Sequence, residues 1–225
     1  MPHGFLSRRQ VLATGLSIVA GLGLPRQSRA QSVAFDTGWE HLTFRRLAPN
    51  RFELRNSSLH VVADGSSSIL YRILPAAFRA STRASWDWQV ENSVPPSDLS
   101  QIGNDDRNLG MFFVSMSAQA AQNLRPDSNL RRLMTNRSAR VLMYTWGGDG
   151  RIGVVVPSPH APDRLRNLVT RPAQTGRFSE SVDLNRDFIR VFGAPLEQLV
   201  AVAVSSNSEN TPARVVARIS DLRLG

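Results

Sequence analysis

The sequence predicts an all-β fold, a two-sheet β-sandwich with one or two short helices. Three observations predict it. From Phe35 onward, short apolar runs are separated by turn residues, which is the pattern of a sandwich or barrel rather than of alternating strands and helices. Ser85-Trp86-Asp87-Trp88-Gln89-Val90 alternates, so that Trp86, Trp88 and Val90 share one strand face while Asp87 and Gln89 share the other. Helical spacing appears in two places only, and both are short.

Residues 1–30 read as a twin-arginine signal peptide. Ser7-Arg8-Arg9-Gln10-Val11-Leu12 sets paired arginines ahead of an apolar stretch ending at Leu24. A membrane anchor needs about 20 predominantly apolar residues; this stretch is shorter and is diluted by Gly15, Gly21 and Gly23, so no stable anchor is expected. Small residues at Ser28 and Ala30 set the cleavage after Ala30. The expected mature chain is a single domain, residues 31–225, exported by the twin-arginine translocase and periplasmic or secreted.

Within that domain the predicted strands are 51–54, 59–63, 68–73, 84–90, 110–116, 141–146, 152–156, 167–170, 178–183, 199–205 and 215–222. Asp64-Gly65, Pro95-Pro96, Gly147-Gly148-Asp149-Gly150 and Pro157-Ser158-Pro159 supply the turns, the four-residue glycine cluster reading as a hairpin. One helical segment covers 117–123 with 129–134. The other covers 186–192, with Asn185 as N-cap and Gly193 as the left-handed C-cap.

The chain has no cysteine, so stability has to come from its apolar core rather than from disulfides. All 27 basic residues are arginine. Losing Arg8, Arg9, Arg26 and Arg29 with the signal lowers the formal charge from +9 to +5, and the remaining arginines form no dense stripe. Nucleic-acid binding is therefore not expected; an anionic envelope polymer is the charge-compatible alternative.

Sequences that announce an enzyme are missing: no H-E-x-x-H, no G-x-S-x-G and no Walker loop. His41, His60 and His160 stand alone, without neighbours at metal-ligand spacing, and read as structural. The informative residues are aromatic and acidic. Trp86 and Trp88 make either core or, if one is exposed, a stacking platform for a sugar ring. Asp105, Asp106 and Arg107 precede the strand at Gly110; adjacent carboxylates there are solvated, paired with arginine, or bound to a cation such as calcium. Asn207-Ser208-Glu209-Asn210-Thr211 supplies a second polar loop between the last two strands.

The ordered set Trp86-x-Trp88, Asp105-Asp106-Arg107, Tyr144-x-Trp146-Gly147, Asp187-Phe188 with Phe192-Gly193, and Asn210-Thr211 resembles the bacterial family called domain of unknown function 3047. The resemblance spans about Gly38 to Leu224. It implies a periplasmic protein with a jelly-roll sandwich similar to the galactose-binding-like folds of carbohydrate-binding modules, but no settled activity. Where that family tends to read T-D-x-D-N-T, this chain reads Ser206 to Thr211 with Asn207 and Glu209 in the acidic places, which implies weaker binding of any cation held there.

The leading expectation is a non-catalytic domain that binds a carbohydrate or another envelope polymer, without a cofactor. Asp87, Asp105, Asp106, Arg107, Asn207, Glu209 and Asn210 are the candidate polar site, with Trp86 or Trp146 as stacking partners. One alternative is a glycan-active hydrolase or lyase using Asp105 or Asp106 with Glu209, which needs carboxyl groups about 5–9.5 Å apart. The other is a structural protein-interaction domain marked by an exposed apolar patch.

Overall fold

The computed structural model describes residue 1, residues 30–125 and residues 128–225. Arg8, Arg9 and the rest of the expected signal lie outside the described residues. Alternating apolar strands close into two sheets, as expected. One has six strands: β11 (Gly176–Asp183), β6 (Arg83–Asn92), β13 (Arg214–Leu224), β4 (Ser58–Asp64) and β3 (Arg51–Arg55) in that order, with β1 (Gln31–Ser32) also paired to β13. The other has seven, in the order β2 (Glu40–Thr43), β5 (Ser67–Ile73), β12 (Gln198–Asn207), β7 (Arg107–Met116), β8 (Arg140–Gly147), β10 (Leu165–Arg171) and β9 (Val155–Pro157). All pairs of these strands are antiparallel except β8 with β10.

The alternation along β6 decides what fills the space between the sheets. Trp86 and Trp88 point inward and meet at 5.5 Å; Trp88 meets Trp146 of β8 at 5.3 Å, and Trp146 meets Phe178 of β11 at 5.1 Å. These edge-on and tilted contacts are the favourable geometries for aromatic rings. Phe113, Tyr144, Leu59, Val202 and Ile219 complete this core. The indole nitrogens of Trp88 and Trp146 donate to Glu180 Oε1 at 3.0 Å and to the Gln174 carbonyl at 2.9 Å.

Among the described residues three α-helices form, one more than expected, because the first helical segment is two helices. α1 (Ala118–Gln122) is capped by Ser117, whose side chain accepts from the Ala120 N–H, and α2 (Leu130–Thr135) is capped in the same way by Asn129. Both cover the outer face of the seven-stranded sheet, where Ala121, Leu130 and Leu133 join Phe112, Val114, Met143 and Ala201 in a second apolar cluster. α3 (Leu184–Phe192) starts earlier than expected: its N-cap is Asp183, which accepts from the Arg186 N–H, and not Asn185. Gly193 ends it at φ 70°, as the sequence indicates.

Two further differences have physical causes. β1 and β2 escape sequence reading because they are short and mostly polar, and tertiary pairing alone makes them strands. The Gly147 to Gly150 cluster is not a hairpin: β8 and β9 do not pair, and the chain instead crosses so that β10 lies parallel to β8, with β9 on its far side.

Candidate functional site

The outer face of the seven-stranded sheet carries a cavity of about 510 Å³, within the size range of small-molecule sites. Its floor is built by residues that point away from the tryptophan core: Ile69 of β5, Ala203 of β12, Phe112 and Val114 of β7, Val141 and Met143 of β8. Leu130 and Met134 of α2 cover one side, and Phe44 and Leu47 follow β2 on another. At the remaining end stand Asp105, Arg107, Asn207, Glu209, Ser67, Ser158 and His160.

A β-bulge brings Arg107 to this end. On both sides of β7 the register slips near Asn108: Leu109 pairs with Trp146 but Arg107 with Gly147, and Ser205 pairs with Gly110 but Asn207 with Arg107. Simple alternation would put Arg107 on the core face with Leu109, Met111 and Phe113; the extra residue turns it outward. Asn108 takes the inward place. It is fully buried, accepts from the Val94 N–H at 2.9 Å and donates to Ser93 Oγ at 2.9 Å. Gly147 is required opposite the bulge, since a Cβ there would sit 2.7 Å from Arg107 Cβ and 3.0 Å from its Cα.

Arg107 is only 12% exposed, and its Nη1 lies 3.7 Å from Asp105 Oδ2. Nη1 also donates to the Asp105 carbonyl at 3.2 Å and Nη2 to Ser205 Oγ at 3.1 Å. Burial pulls the guanidinium below its usual value, and the carboxylates of Asp105, Glu209 and Asp106 act against that pull. Burial pushes the Glu209 carboxyl above its usual range; the charges of Asp106 and Asp105 add to this, while a backbone N–H and Arg107 oppose it. His160 Nε2 lies 3.3 Å from Asp105 Oδ2 at the exposed mouth. Among the described residues, three buried polar atoms of this cluster have no hydrogen-bond partner: Arg107 Nε, Asn207 Oδ1 and Glu209 Oε2. Buried polar groups are ordinarily paired; here one donor, Arg107 Nε, and two acceptors, Asn207 Oδ1 and Glu209 Oε2, lie unpaired beneath the polar end of the cavity. Among the described residues, no group of three or more His, Cys, Asp and Glu is placed to hold a metal ion.

Four of the nine candidate residues therefore line one cavity: Asp105, Arg107, Asn207 and Glu209. The Asp105 and Asn207 loops meet rather than lying at opposite ends, since Asn207 and Arg107 are register partners. The other five do something else. Asp106 is wholly buried and accepts from the Asn210 N–H at 3.2 Å, Asn210 Nδ2 at 3.0 Å and Thr211 Oγ1 at 2.8 Å, so Asp106 and Asn210 latch the two loops together. Trp86 and Trp146 are buried between the sheets and present no face for stacking. Asp87 alternates with Trp86 and so lies on the outer face of the six-stranded sheet, two layers from the cavity. His160 joins the site although it reads as an isolated histidine, because no sequence spacing connects it to Asp105, 55 residues away.

Fold and site together define a β-sandwich with a ligand-sized cavity on the outside of one sheet. The chain belongs to the family described as "Protein of unknown function (DUF3047)", whose model matches residues 37–223. No curated protein matches the sequence. Among solved structures, the xyloglucanase domain of NopAA from Sinorhizobium fredii, in complex with cellobiose, is similar at 10% identity and TM-score 0.48, over 87% of this chain and 97% of that one. Endoglucanase 3 of family GH12 from Trichoderma harzianum gives 10% identity and TM-score 0.44, over 87% and 95%. The family 29 carbohydrate-binding module from Piromyces equi gives 7% identity and TM-score 0.35, over 87% and 89%. These likenesses concern the fold alone.

Proposed function

We propose that the protein is an exported, non-catalytic binding domain that takes a carbohydrate-bearing ligand of the cell envelope into the outer-face cavity. The observation that carries this reading is the cavity itself, a volume of about 510 Å³ with apolar walls and one polar end formed by Asp105, Arg107, Asn207 and Glu209, the make-up of a small-molecule site. Export is supported by Arg8-Arg9 and by the start of β1 at Gln31, directly after the expected cut. No helix among the described residues is long and apolar enough to cross a membrane.

A glycan array probed with the purified domain tests the reading. Wild type is expected to retain a subset of glycans, and Asn207→Ala to lose at least about tenfold in affinity, the loss of one or more hydrogen bonds, with an unchanged unfolding midpoint. An empty array, or retention indifferent to Asn207, overturns it. One observation favours a second reading: Asp105 and Glu209 line the same cavity, and Glu209 is biased toward its protonated form, as a general acid would be. Release of new reducing ends by wild type, abolished in Glu209→Gln, would replace the binder by a hydrolase.

A further inference from the structure

We propose that the ligand of this cavity is a glycolipid-like amphiphile, with an alkyl chain in the apolar part and an uncharged, hydroxyl-bearing head at the polar end. The inference rests on the binding reading above and names the ligand class. Its basis is the grading of the walls. Away from Arg107 and Asn207 the cavity is enclosed by Phe112, Val114, Leu130, Met134, Met143 and Leu165. The rings that line it are the phenyl groups of Phe44 and Phe112; the other apolar walls are aliphatic or thioether, and no tryptophan or tyrosine is among the described residues that line it. Such walls suit an alkyl chain.

The floor is kept hollow by small residues. Ala203 contributes only a methyl group, and at Gly110 a Cβ would lie 2.4 Å from Met143 Sδ, so any larger residue there would push Met143 into the cavity. From Gly110 to Val114 the strand advances four residue steps, about 13 Å, which matches an extended alkyl chain of about ten carbons. α2 is held over this stretch by Arg131, whose Nη2 donates to the Thr43 carbonyl at 2.6 Å. The head end carries two carboxyl groups, Asp105 and Glu209; the guanidinium of Arg107 is already engaged by Asp105 at 3.7 Å and that of Arg131 by the Thr43 carbonyl. An anionic head such as a free carboxylate, sulfate or phosphate would have to compete with Asp105 for Arg107, whereas a sugar's hydroxyl groups can both donate and accept.

Calorimetric titration of the wild-type domain with hexyl, octyl, decyl and dodecyl β-glucosides below their micelle concentrations tests this, with glucose and dodecyl sulfate alongside. Affinity should rise about fourfold per added methylene, the equivalent of about 0.8 kcal/mol, and level off once the cavity is full; dodecyl sulfate should bind more weakly than dodecyl glucoside. Met134→Glu, which charges the α2 wall at a half-buried position, should abolish the dependence on chain length. Binding that ignores chain length sinks the alkyl assignment while leaving the carbohydrate reading standing. Equal binding of dodecyl sulfate sinks the uncharged head. Chain-length dependence that survives Asn207→Ala undiminished at every length sinks the carbohydrate reading and leaves an alkyl pocket. No binding by any member overturns both.

Discussion

The two faces of the seven-stranded sheet are both apolar, yet one is solid and the other hollow. Along β8, Leu142, Tyr144 and Trp146 point inward, while Val141 and Met143 point outward; along β7, Met111 and Phe113 are inward, while Gly110, Phe112 and Val114 are outward. The inward set meets a second sheet that offers Trp86 and Trp88, so rings interlock at centroid distances of 5.5–5.8 Å. The outward set meets α1 and α2, five and six residues long, and the segment after β2 with Phe44 and Leu47, which together enclose a cavity instead of filling it. Hydrophobicity on a strand face therefore says that the face is covered, not that it is filled. What stands opposite decides between core and cavity.

The sharpest way to break this comparison is to truncate neighbours on β8 that point in opposite directions. Leu142→Ala, on the solid side, should cost about 3–4 kcal/mol. Met143→Ala, whose side chain already borders open volume and makes fewer contacts, should cost about 1–2 kcal/mol. Urea unfolding gives both numbers, and equal losses would mean that the outer face is packed like the inner one. Next in size is the loop latch: Asp106→Ala deprives Asn210 and Thr211 of a charged acceptor and should destabilise by about 3 kcal/mol. A loss under about 0.5 kcal/mol would instead return Asp106 to the ligand site. The smallest effect belongs to Glu209. Its carboxyl is held above the ordinary 4.5, so the native state favours the protonated form. The stability this gives is present below pH 4.5 and is lost as pH rises through the raised value. Glu209→Gln should therefore gain on wild type between pH 4 and pH 7, by less than about 1 kcal/mol because the side chain is only partly buried. A difference that is flat with pH, or of opposite sign, would show Glu209 to be paired rather than poised.

Most of the fold was legible in the sequence because burial between sheets imposes a period of two on every long strand, and Trp86-Asp87-Trp88 displays that period plainly. The motifs that carry the family resemblance prove to be partners of one another. Tyr144 Oη donates to Asp187 Oδ2 at 2.7 Å, tying β8 to α3; burial and this bond raise the phenol well above its usual range. Asp106 holds Asn210 and Thr211, and Gly147 makes room for Arg107. Read singly, such residues resemble a site, and five of the nine candidates were structural or misplaced for that reason. Nothing local marks Met134, Ser158 or His160 as lining the same cavity as Asp105.

The sequence by itself determined the long strands, the face that Trp86 and Trp88 share and the short helices, because alternation, turn residues and capping are local physics. Only the tertiary structure decided that a bulge at Asn108 turns Arg107 outward and that the lesser apolar face stays hollow. Those outcomes depend on register between strands far apart in the chain and on what α1, α2 and the segment after β2 leave unfilled, and neither is written in the neighbourhood of any single residue.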